Sequence, residues 1–438
     1  MGMEIVGIVL FVLLIGLSIG LHELGHLLPA KLFGVRVTQY MVGFGPTVWS
    51  RTRGETQYGI KAFPVGGYIR MIGMLPPGKD GQTRSMSTGR FATLIADARQ
   101  ASLDEIQPGD EARVFYKLPV WKRLVIMLGG PVMNLILAII LFTVVLVGIG
   151  LPQASSQIDG VVPCTPTASV GQVQTLPSGN CPTGSAVAPA AAAGIQPGDT
   201  LVGVGPITTD RWEEATAWIR ENPAVTTSLT VVRDGSQIAI PITIAEVERP
   251  LLGSDGVPTG GSETVGFVGI RPAIDYVGQP PSVVPGYMWD LTTASVVALV
   301  SLPVRLYDLV DETLIGGGAR ELDSPVSVVG ASRLGGEIAA NDDPVEGKIA
   351  TFLGLAASLN LFLFLFNLLP ILPLDGGHVA AALYEGARRG VSRLRGRPDP
   401  GPVDTARLLP VAYVVAAVLL GAGVIVIWAD LVKPITLG

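Results

Sequence analysis

The chain has 438 residues, of which 48% are hydrophobic and only 15% are charged, and its mean hydropathy is +0.50. An ordinary soluble domain carries about 25% charged residues, so this composition excludes a purely soluble protein. The formal net charge of −6 is mild, and no basic stripe indicates nucleic-acid binding. The composition predicts an integral membrane protein with substantial soluble parts.

The N-terminus is an apolar run that could be mistaken for a signal peptide. Its first charged residue is Glu4, so it has no positively charged leader, and no A-x-A cleavage site follows it. We therefore expect a retained transmembrane helix over about Val6–Leu28. The run leads without a break into the segment LHELGHL, which carries His22, Glu23 and His26.

The segment LHELGHL has the spacing of a metal site on a helix. His22 and His26 lie four residues apart, so they share one helix face and can bind one metal ion, with Glu23 beside them as a general base. Ionisable groups inside a membrane helix are expensive and indicate function. The alternative is a polar cluster that caps a helix end at the lipid interface. At 1.5 Å per residue, His22 lies about 25 Å from Ile5, near the cytoplasmic boundary of the membrane.

Long apolar segments predict four transmembrane helices, since about 30 Å of hydrocarbon must be crossed. They cover about Val6–Leu28, Leu124–Leu151, Ala350–Leu372 and Leu408–Ala429. A fifth candidate, Leu291–Leu306, is short and contains a proline, so we predict an interfacial or partly buried helix there.

The distribution of basic residues predicts the topology. Lys and Arg number 14 in the 93 residues of 31–123 and 6 in the 30 residues of 378–407, but only 9 in the 197 residues of 152–348. Because cytoplasmic loops carry the positive excess, the first two segments are expected in the cytoplasm. The large middle segment and both termini then face outside.

The first cytoplasmic segment contains β-like sequence. Gln57–Met71 is rich in aromatic and branched residues but is broken by Pro64, Gly66 and Gly67, which indicates an edge strand or a bulge. An edge beside a metal site offers backbone groups to an unwound substrate helix. The alternative is a plain interfacial hairpin. The polar stretch Leu75–Val114 has weak helical periodicity and no assigned chemistry.

The second span opens with a Trp-Lys-Arg sequence that is typical of an interfacial anchor. Gly130 and Pro131 follow and favour the close approach of another helix. Asn134 is polar within the span, so we expect it to bond to a neighbouring helix. For these three residues we favour packing over a direct part in the chemistry.

The middle segment carries the chain's only cysteines, Cys164 and Cys181. An oxidising compartment favours a disulfide between them over two free thiols. Further on, Ala190–Ile244 predicts short strands around one helix, with a hairpin turn at Asp234-Gly235. This pattern indicates a small peptide-binding barrel.

The third span ends in a proline-broken segment that leads to Asp375. An ideal helix from Ala350 would place Asp375 about 37 Å away, at the same cytoplasmic edge as the two histidines. Catalytic zinc commonly has three protein ligands, and Asp375 is the best third ligand, with His378 as the rival. Asn367 is assigned to the substrate backbone or the oxyanion; alternatively, it satisfies carbonyls freed by Pro370.

With these residues in place, the chain resembles the RseP-type branch of the site-2 protease family of intramembrane zinc metalloproteases. The motifs that carry the resemblance are LHELGH, Asn367-x-x-Pro370 through Leu374-Asp375-Gly376, Phe44-Gly45-Pro46, Pro64-x-Gly66-Gly67-Tyr68, Gly130-Pro131-x-x-Asn134 and a PDZ-like stretch from Ala193 to Ile270. The two metal motifs together are highly specific.

The resemblance implies regulated intramembrane proteolysis at a bacterial plasma membrane, with one Zn²⁺ per chain. Expected substrates are single-span proteins such as anti-sigma factors, first trimmed by an upstream site-1 protease. A PDZ module would act as a size filter or docking site. The residues expected to contact the substrate or the oxyanion are Asn367, Pro370, Gly66, Gly67 and Tyr68. Structural roles are expected for Asn134, Gly130 and Pro131.

The resulting fold class is a polytopic α-helical membrane protein with four transmembrane helices, a membrane-associated β-loop and an extracytoplasmic PDZ-like α+β domain. The predicted segments are helix 1–28, cytoplasmic loop 29–123 with β region 37–72, helix 124–151, extracytoplasmic domain 152–285 with a PDZ core at 185–247, interfacial helices 286–348, helix 349–377, cytoplasmic loop 378–407 and helix 408–431.

Two other functions compete with proteolysis. A metal or proton transporter would use His22, His26 and Asp375 as a relay, but such sites usually lie at the midplane between internal repeats, and no repeat is visible. A non-catalytic PDZ scaffold would bind partners but would have no need for Glu23.

Overall fold

The computed structural model describes residues 2–77, 90–166, 181, 186–252, 258–315, 320, 324–341 and 343–435. Residues 78–89 of the predicted insertion Leu75–Val114 lie outside this set. The chain forms two compact units, one made of Met1–Ile149 with Gln279–Gly438 and the other of Gly150–Gly278. The middle unit is thus shorter than the predicted 152–285, because residues from Val283 onwards form a helix of the first unit.

The helices are α1 (Gly2–Leu32), α2 (Arg90–Asp104), α3 (Val120–Thr143), α4 (Pro189–Ala192), α5 (Trp212–Glu221), α6 (Val283–Val310), α7 (Val328–Ala340), α8 (Val345–Asn367), α9 (Asp375–Leu394) and α10 (Leu409–Val432). The strands are β1 (Val37–Arg53), β2 (Thr56–Met71), β3 (Leu151–Val161), β4 (Thr200–Val204), β5 (Ile207–Thr208), β6 (Thr226–Arg233), β7 (Ser236–Thr243), β8 (Ala245–Leu252), β9 (Pro258–Phe267) and β10 (Ile270–Val277). A π-helical turn, Val144–Ile149, extends α3.

Five helical segments in the described part of the chain are long and apolar enough to cross a membrane: Gly2–Leu32, Val120–Ile149, Val283–Thr313, Val345–Asn367 and Thr405–Val432. Four of them correspond to the predicted spans. The prediction of a short helix at Leu291–Leu306 is wrong in length, because α6 has 28 residues and continues through Pro303.

The first helix also runs further than predicted, to Leu32 rather than Leu28. Pro29 removes one helix hydrogen bond, which favours termination. However, Leu27 and Ala30 are buried in a cluster with Val35 and Phe115, and this packing holds the last turn in place. Tertiary contacts therefore override the local signal of the proline.

Helices α1 and α3 approach each other at glycines. A Cβ atom added to Gly25 would lie 2.2 Å from the carbonyl oxygen of Gly129, far inside van der Waals contact. Small residues at such a point let two membrane helices pack backbone to backbone. The glycine pair thus fixes the separation of the two helices just beside the histidines of α1.

Strands β1 and β2 fold back on themselves into a small antiparallel sheet. Val42 pairs with both Gly67 and Ile60, so the order of segments is 67–71, 37–42, 57–60 and 49–53. Gly66, with a φ of +136°, lies at the bend that leads into the first segment. In the described residues, segment 67–71 pairs only with 37–42, so it is an edge strand. The prediction of an edge or a bulge for Gln57–Met71 thus holds for this part, whereas segment 57–60 pairs on both sides.

The chain breaks between α8 and α9. Residues Leu368–Leu374 form turns that include Pro370 and Pro373, and Asp375 begins α9. A Cβ atom on Gly376 would lie 2.3 Å from the carbonyl oxygen of Leu369, so the tight reversal requires glycine there. The predicted segment 349–377 thus contains the break expected at its prolines, and Asp375 lies at the start of the second helix.

The middle unit is an α+β domain. Its sheet has the order β10-β3-β4-β6-β7, with β5 beside β4 and a separate β8–β9 hairpin. Among the described strands this is an open sheet rather than the predicted barrel, since β10 and β7 lie at opposite ends of the order. Trp212 and Ile219 of α5 pack with Leu229 and Ile240 in its core.

Two further contacts stabilise the middle unit. Cys164 and Cys181 form a disulfide, with their Cα atoms 5.4 Å apart. The buried carboxylate of Asp199 accepts two hydrogen bonds of 2.7 Å from the Arg233 guanidinium. These bonds hold the pKa of Asp199 below its usual range.

Candidate active site

Helix α1 presents three of the predicted site residues on one turn. His22 and His26 lie one turn apart with their rings edge to face, and their Nε2 atoms are 3.3 Å apart. Glu23 lies beside them and is only 8% exposed. The i, i+4 spacing thus produces the shared face expected from helix geometry.

Asp375, at the first position of α9, completes a cluster with the two histidines. Its Oδ2 atom lies 3.3 Å from His22 Nε2 and 3.2 Å from His26 Nε2. Among the described residues, His22, His26 and Asp375 are the three potential ligands whose ligand atoms lie close enough together to hold one metal ion. His378, the rival ligand, lines the same cavity but is not part of this group.

The donor set fits zinc in chemistry and in spacing. Two imidazole nitrogens and a carboxylate oxygen are a usual set for catalytic zinc. Ligands about 2.0–2.1 Å from a tetrahedral ion are about 3.3–3.4 Å from each other. The three observed separations, 3.2 to 3.3 Å, agree with that spacing.

Helix α3 supports both imidazoles from behind. His26 Nδ1 lies 2.7 Å from the carbonyl oxygen of Ile126, and the Asn134 amide lies 3.1 Å from His22 Nδ1. Asn134 therefore bonds to a neighbouring helix, as predicted, and its partner is a site residue. A Cβ atom on Gly130 would lie 2.2 Å from His26 Nε2, so only glycine leaves room for the rings.

The edge strand 67–71 lies directly against Glu23. A Cβ atom on Gly67 would lie 2.8 Å from Glu23 Cγ, and Ile69 of the same segment lines one cavity together with Glu23. Strand and helix are thus joined at the residue predicted to be the general base. Tyr40, on the neighbouring strand, donates a hydrogen bond of 2.6 Å to the Gly20 carbonyl and fixes the sheet to α1.

A cavity of about 300 Å³ connects these groups. Its walls include His22, Glu23, His26, Gly67, Tyr68, Asn367, Asp375 and His378. Two other predicted substrate contacts are not on its walls. Pro370 is exposed in the break before α9, and Gly66 packs against the Phe44 ring at the bend of the sheet.

Comparisons with known proteins agree with this geometry. The model of the family described as "Peptidase family M50" matches residues 10–397. The chain belongs to peptidase family M50.

Relatives of this M50 peptidase are named as metalloproteases. "Zinc metalloprotease Rip1" of Mycobacterium tuberculosis is 35% identical over 99% of both chains. "Zinc metalloprotease RasP" of Oceanobacillus iheyensis is 25% identical over 89% of this chain and 91% of its own. "Metalloprotease MmpA" of Caulobacter vibrioides is 27% identical over 87% and 86%. The similarity thus extends across both units of the M50 peptidase.

The structure also reveals a buried ion pair that the sequence reasoning missed. Arg123, interpreted as part of an interfacial anchor, is buried and donates to Glu385 on α9, which is 0% exposed. Glu385 also accepts from the backbone N–H of Val403. In this M50 peptidase the pair joins α3 to α9, the helix that begins with Asp375. A lone glutamate in a polar stretch gave no signal of burial.

Proposed function

We propose that this M50 peptidase is a zinc endopeptidase that cleaves the transmembrane segments of single-span proteins. The observation that carries the proposal is that His22 and His26, on the apolar helix α1, lie within 3.3 Å of Asp375, beside the edge strand 67–71. The names of the relatives support zinc as the metal. Bound zinc supplies Lewis acidity and a more acidic water.

Glu23 acts as the general base. It lines the same cavity as the two imidazoles, so its carboxylate can take the proton of the attacking water and pass it to the leaving amine. The close approach of Gly67 to Glu23 Cγ holds this side chain beside the edge strand. Asn367, which lines the same cavity, donates to the substrate backbone or to the oxyanion.

The edge strand binds the substrate. A helix within the membrane has all its backbone groups paired internally, so its cleavage requires local unwinding and new partners for the freed groups. Segment 67–71 offers such partners by strand addition, and Gly67 and Tyr68 also line the cavity. Gly66 contributes through the bend that turns this segment towards Glu23.

The chain crosses the membrane four times, with the site near the cytoplasmic face. The charge bias supports cytoplasmic loops at 31–123 and 378–407 and extracytoplasmic termini. The contacts of α6 support an interfacial position for that helix. Its start lies beside the end of α3, where the Tyr287 and Phe142 rings are 5.3 Å apart, and its end packs through Leu309 on Ala429, near the end of α10. A helix with both ends at one face lies along that face.

The middle unit is an extracytoplasmic PDZ-like module that docks or filters substrates. Its disulfide is consistent with an oxidising compartment. Substrates of the anti-sigma class, already shortened outside by a site-1 protease, fit such a filter. The site itself lies in a bacterial plasma membrane.

The test is cleavage of a single-span substrate by the purified protein in detergent, combined with measurement of bound zinc. We expect Glu23→Gln to keep zinc but to lose about 10²–10⁴-fold in rate. Asp375→Asn and a zinc chelator should remove both zinc and activity. Glu4→Gln, a change in the same helix far from the site, should behave like the wild type. Undiminished cleavage by Glu23→Gln would refute the mechanism, and metal flux into liposomes without any cleavage would favour a transporter.

A further inference from the structure

His26 indicates how the site orients an imidazole. Its Nδ1 atom lies 2.7 Å from the carbonyl oxygen of Ile126. A carbonyl oxygen only accepts, so Nδ1 of neutral His26 carries the proton and Nε2 keeps a free lone pair. Nε2 is also the atom that lies 3.2 Å from Asp375. His26 is therefore held in the tautomer that a metal ligand requires.

His22 also contacts α3 through its Nδ1 atom, but its partner is a side-chain amide rather than a backbone carbonyl. Its Nδ1 atom lies 3.1 Å from Nδ2 of Asn134. An amide nitrogen donates, so this contact would make Nδ1 the acceptor and would place the proton of neutral His22 on Nε2. That tautomer has no lone pair at Nε2 to offer to a metal. The same amide leaves its buried Oδ1 atom without a hydrogen-bond partner among the described residues.

A half-turn of the amide removes this conflict. The oxygen and nitrogen of an asparagine amide have nearly the same shape, and their assignment follows from the hydrogen bonds they make. After the half-turn, Oδ1 of Asn134 accepts from Nδ1–H of His22, and the buried oxygen gains a partner. Nε2 of His22 then has its lone pair free and points to the same place as Nε2 of His26.

We propose that Asn134 is a positioning residue whose carbonyl oxygen fixes the tautomer and the orientation of His22 for metal binding. This inference rests on the metal site proposed above. Ile126, Gly130 and Asn134 lie at i, i+4 and i+8, so one face of α3 supplies an acceptor for each imidazole and, between them, the space the rings need. Loss of such a supporting hydrogen bond typically weakens metal affinity about 10–100-fold.

The test compares two changes at Asn134 that differ in one property. Asp has the same shape and can accept a hydrogen bond but cannot donate one when ionised, whereas Leu can do neither. Zinc affinity of the full chain in detergent, measured by competition with a chromogenic chelator, needs no peptide cleavage. We expect Asn134→Leu to bind zinc about 10–100-fold more weakly and Asn134→Asp to stay in the wild-type range.

Asn360 provides a matched control. It is also a fully buried asparagine in a membrane helix, but its amide donates to Ser18 and to the Ala356 carbonyl rather than to a ligand. Asn360→Leu should therefore change thermal stability and leave zinc affinity unchanged. This comparison separates a general effect of removing a buried amide from an effect on His22.

Two results would overturn the inference. One is a loss of affinity in Asn134→Asp as large as that in Asn134→Leu, which would assign the donor role to the amide. The other is wild-type affinity in Asn134→Leu. If Asn134→Leu does not fold, the Co²⁺ absorption spectra of Asn134→Asp and wild type decide, because a displaced His22 would change the ligand field. Absence of zinc binding by the wild type would instead refute the proposed metal site.

Discussion

The space left by Gly130 makes a strong prediction about the metal site. A Cβ atom at this position would lie 2.2 Å from His26 Nε2 and 2.7 Å from His22 Nε2. Non-bonded heavy atoms rest about 3.5–4.0 Å apart, so Gly130→Ala forces at least one ring to move by about 1 Å. Zinc sites tolerate about 0.2 Å in ligand distances. One added methyl group should therefore destroy the geometry of the site.

The expected result is a loss of at least about 100-fold in zinc affinity, or about 2.8 kcal/mol. Folding should survive, because alanine is favoured over glycine inside a helix by about 0.5–1 kcal/mol. Chelator competition gives the affinity, and thermal unfolding of the metal-free protein in detergent checks the fold. The two measurements together separate a damaged site from a damaged protein.

Gly16 offers the control, since it lies in α1 and a Cβ atom there would meet nothing within 4 Å. Gly16→Ala should bind zinc like the wild type. Wild-type zinc affinity in Gly130→Ala would refute the reasoning, because it would mean that the rings point elsewhere when the metal is bound.

Arg123→Met leaves the buried Glu385 carboxylate with Arg389 as its cationic partner and should cost about 1.5–3 kcal/mol of stability. Adding Glu385→Met should restore most of this stability, because an apolar pair replaces the two buried charges. Thermal unfolding measures both, and a double variant as unstable as the single one would contradict this. Arg233 lowers the pKa of Asp199 in the folded protein. The ionised carboxylate therefore stabilises the fold fully above the pKa it has in the unfolded chain, about 3.9. This stabilisation is lost as the pH falls through the lower pKa of the folded state. Asp199→Asn should therefore be less stable than wild type at neutral pH, by about 1.5–3 kcal/mol, and the gap should close on acidification; a gap that is independent of pH would rule out this account.

Local spacing and helix length were sufficient to predict the central cluster. The four-residue spacing of His22 and His26 determines a shared face, and counting the rise per residue along two spans brought Asp375 to the same depth. The first argument depends on regular helix geometry, which varies little with context; the second counted an ideal helix up to Asp375, whereas turns at Leu368–Leu374 separate Asp375 from α8. Pro64, Gly66 and Gly67 predicted an edge or a bulge within Gln57–Met71. Segment 67–71 is such an edge, but segment 57–60 pairs on both sides.

Features that depend on distant partners were missed or misjudged. Arg123 was interpreted as an interfacial anchor because its partner, Glu385, lies 262 residues away. The pairing of β3 with β10 joins the two ends of the middle unit, and neither strand was predicted. Pro29 suggested the end of α1, but packing of the following turn outweighed it. In each case the deciding energy comes from a tertiary contact that no local pattern encodes.

The short length of segment 67–71 has a consequence for selectivity. Five residues in extended form span only about 17 Å, and pairing along a strand edge reads the peptide backbone rather than side-chain identity. Substrates would thus be selected mainly by how readily a few residues of their transmembrane helix unwind, and less by a fixed sequence motif at the cleavage site. A leucine-rich transmembrane segment with no glycine, proline or β-branched residue near the site would resist cleavage. A segment of the same length that contains such residues would unwind more easily and would be cleaved.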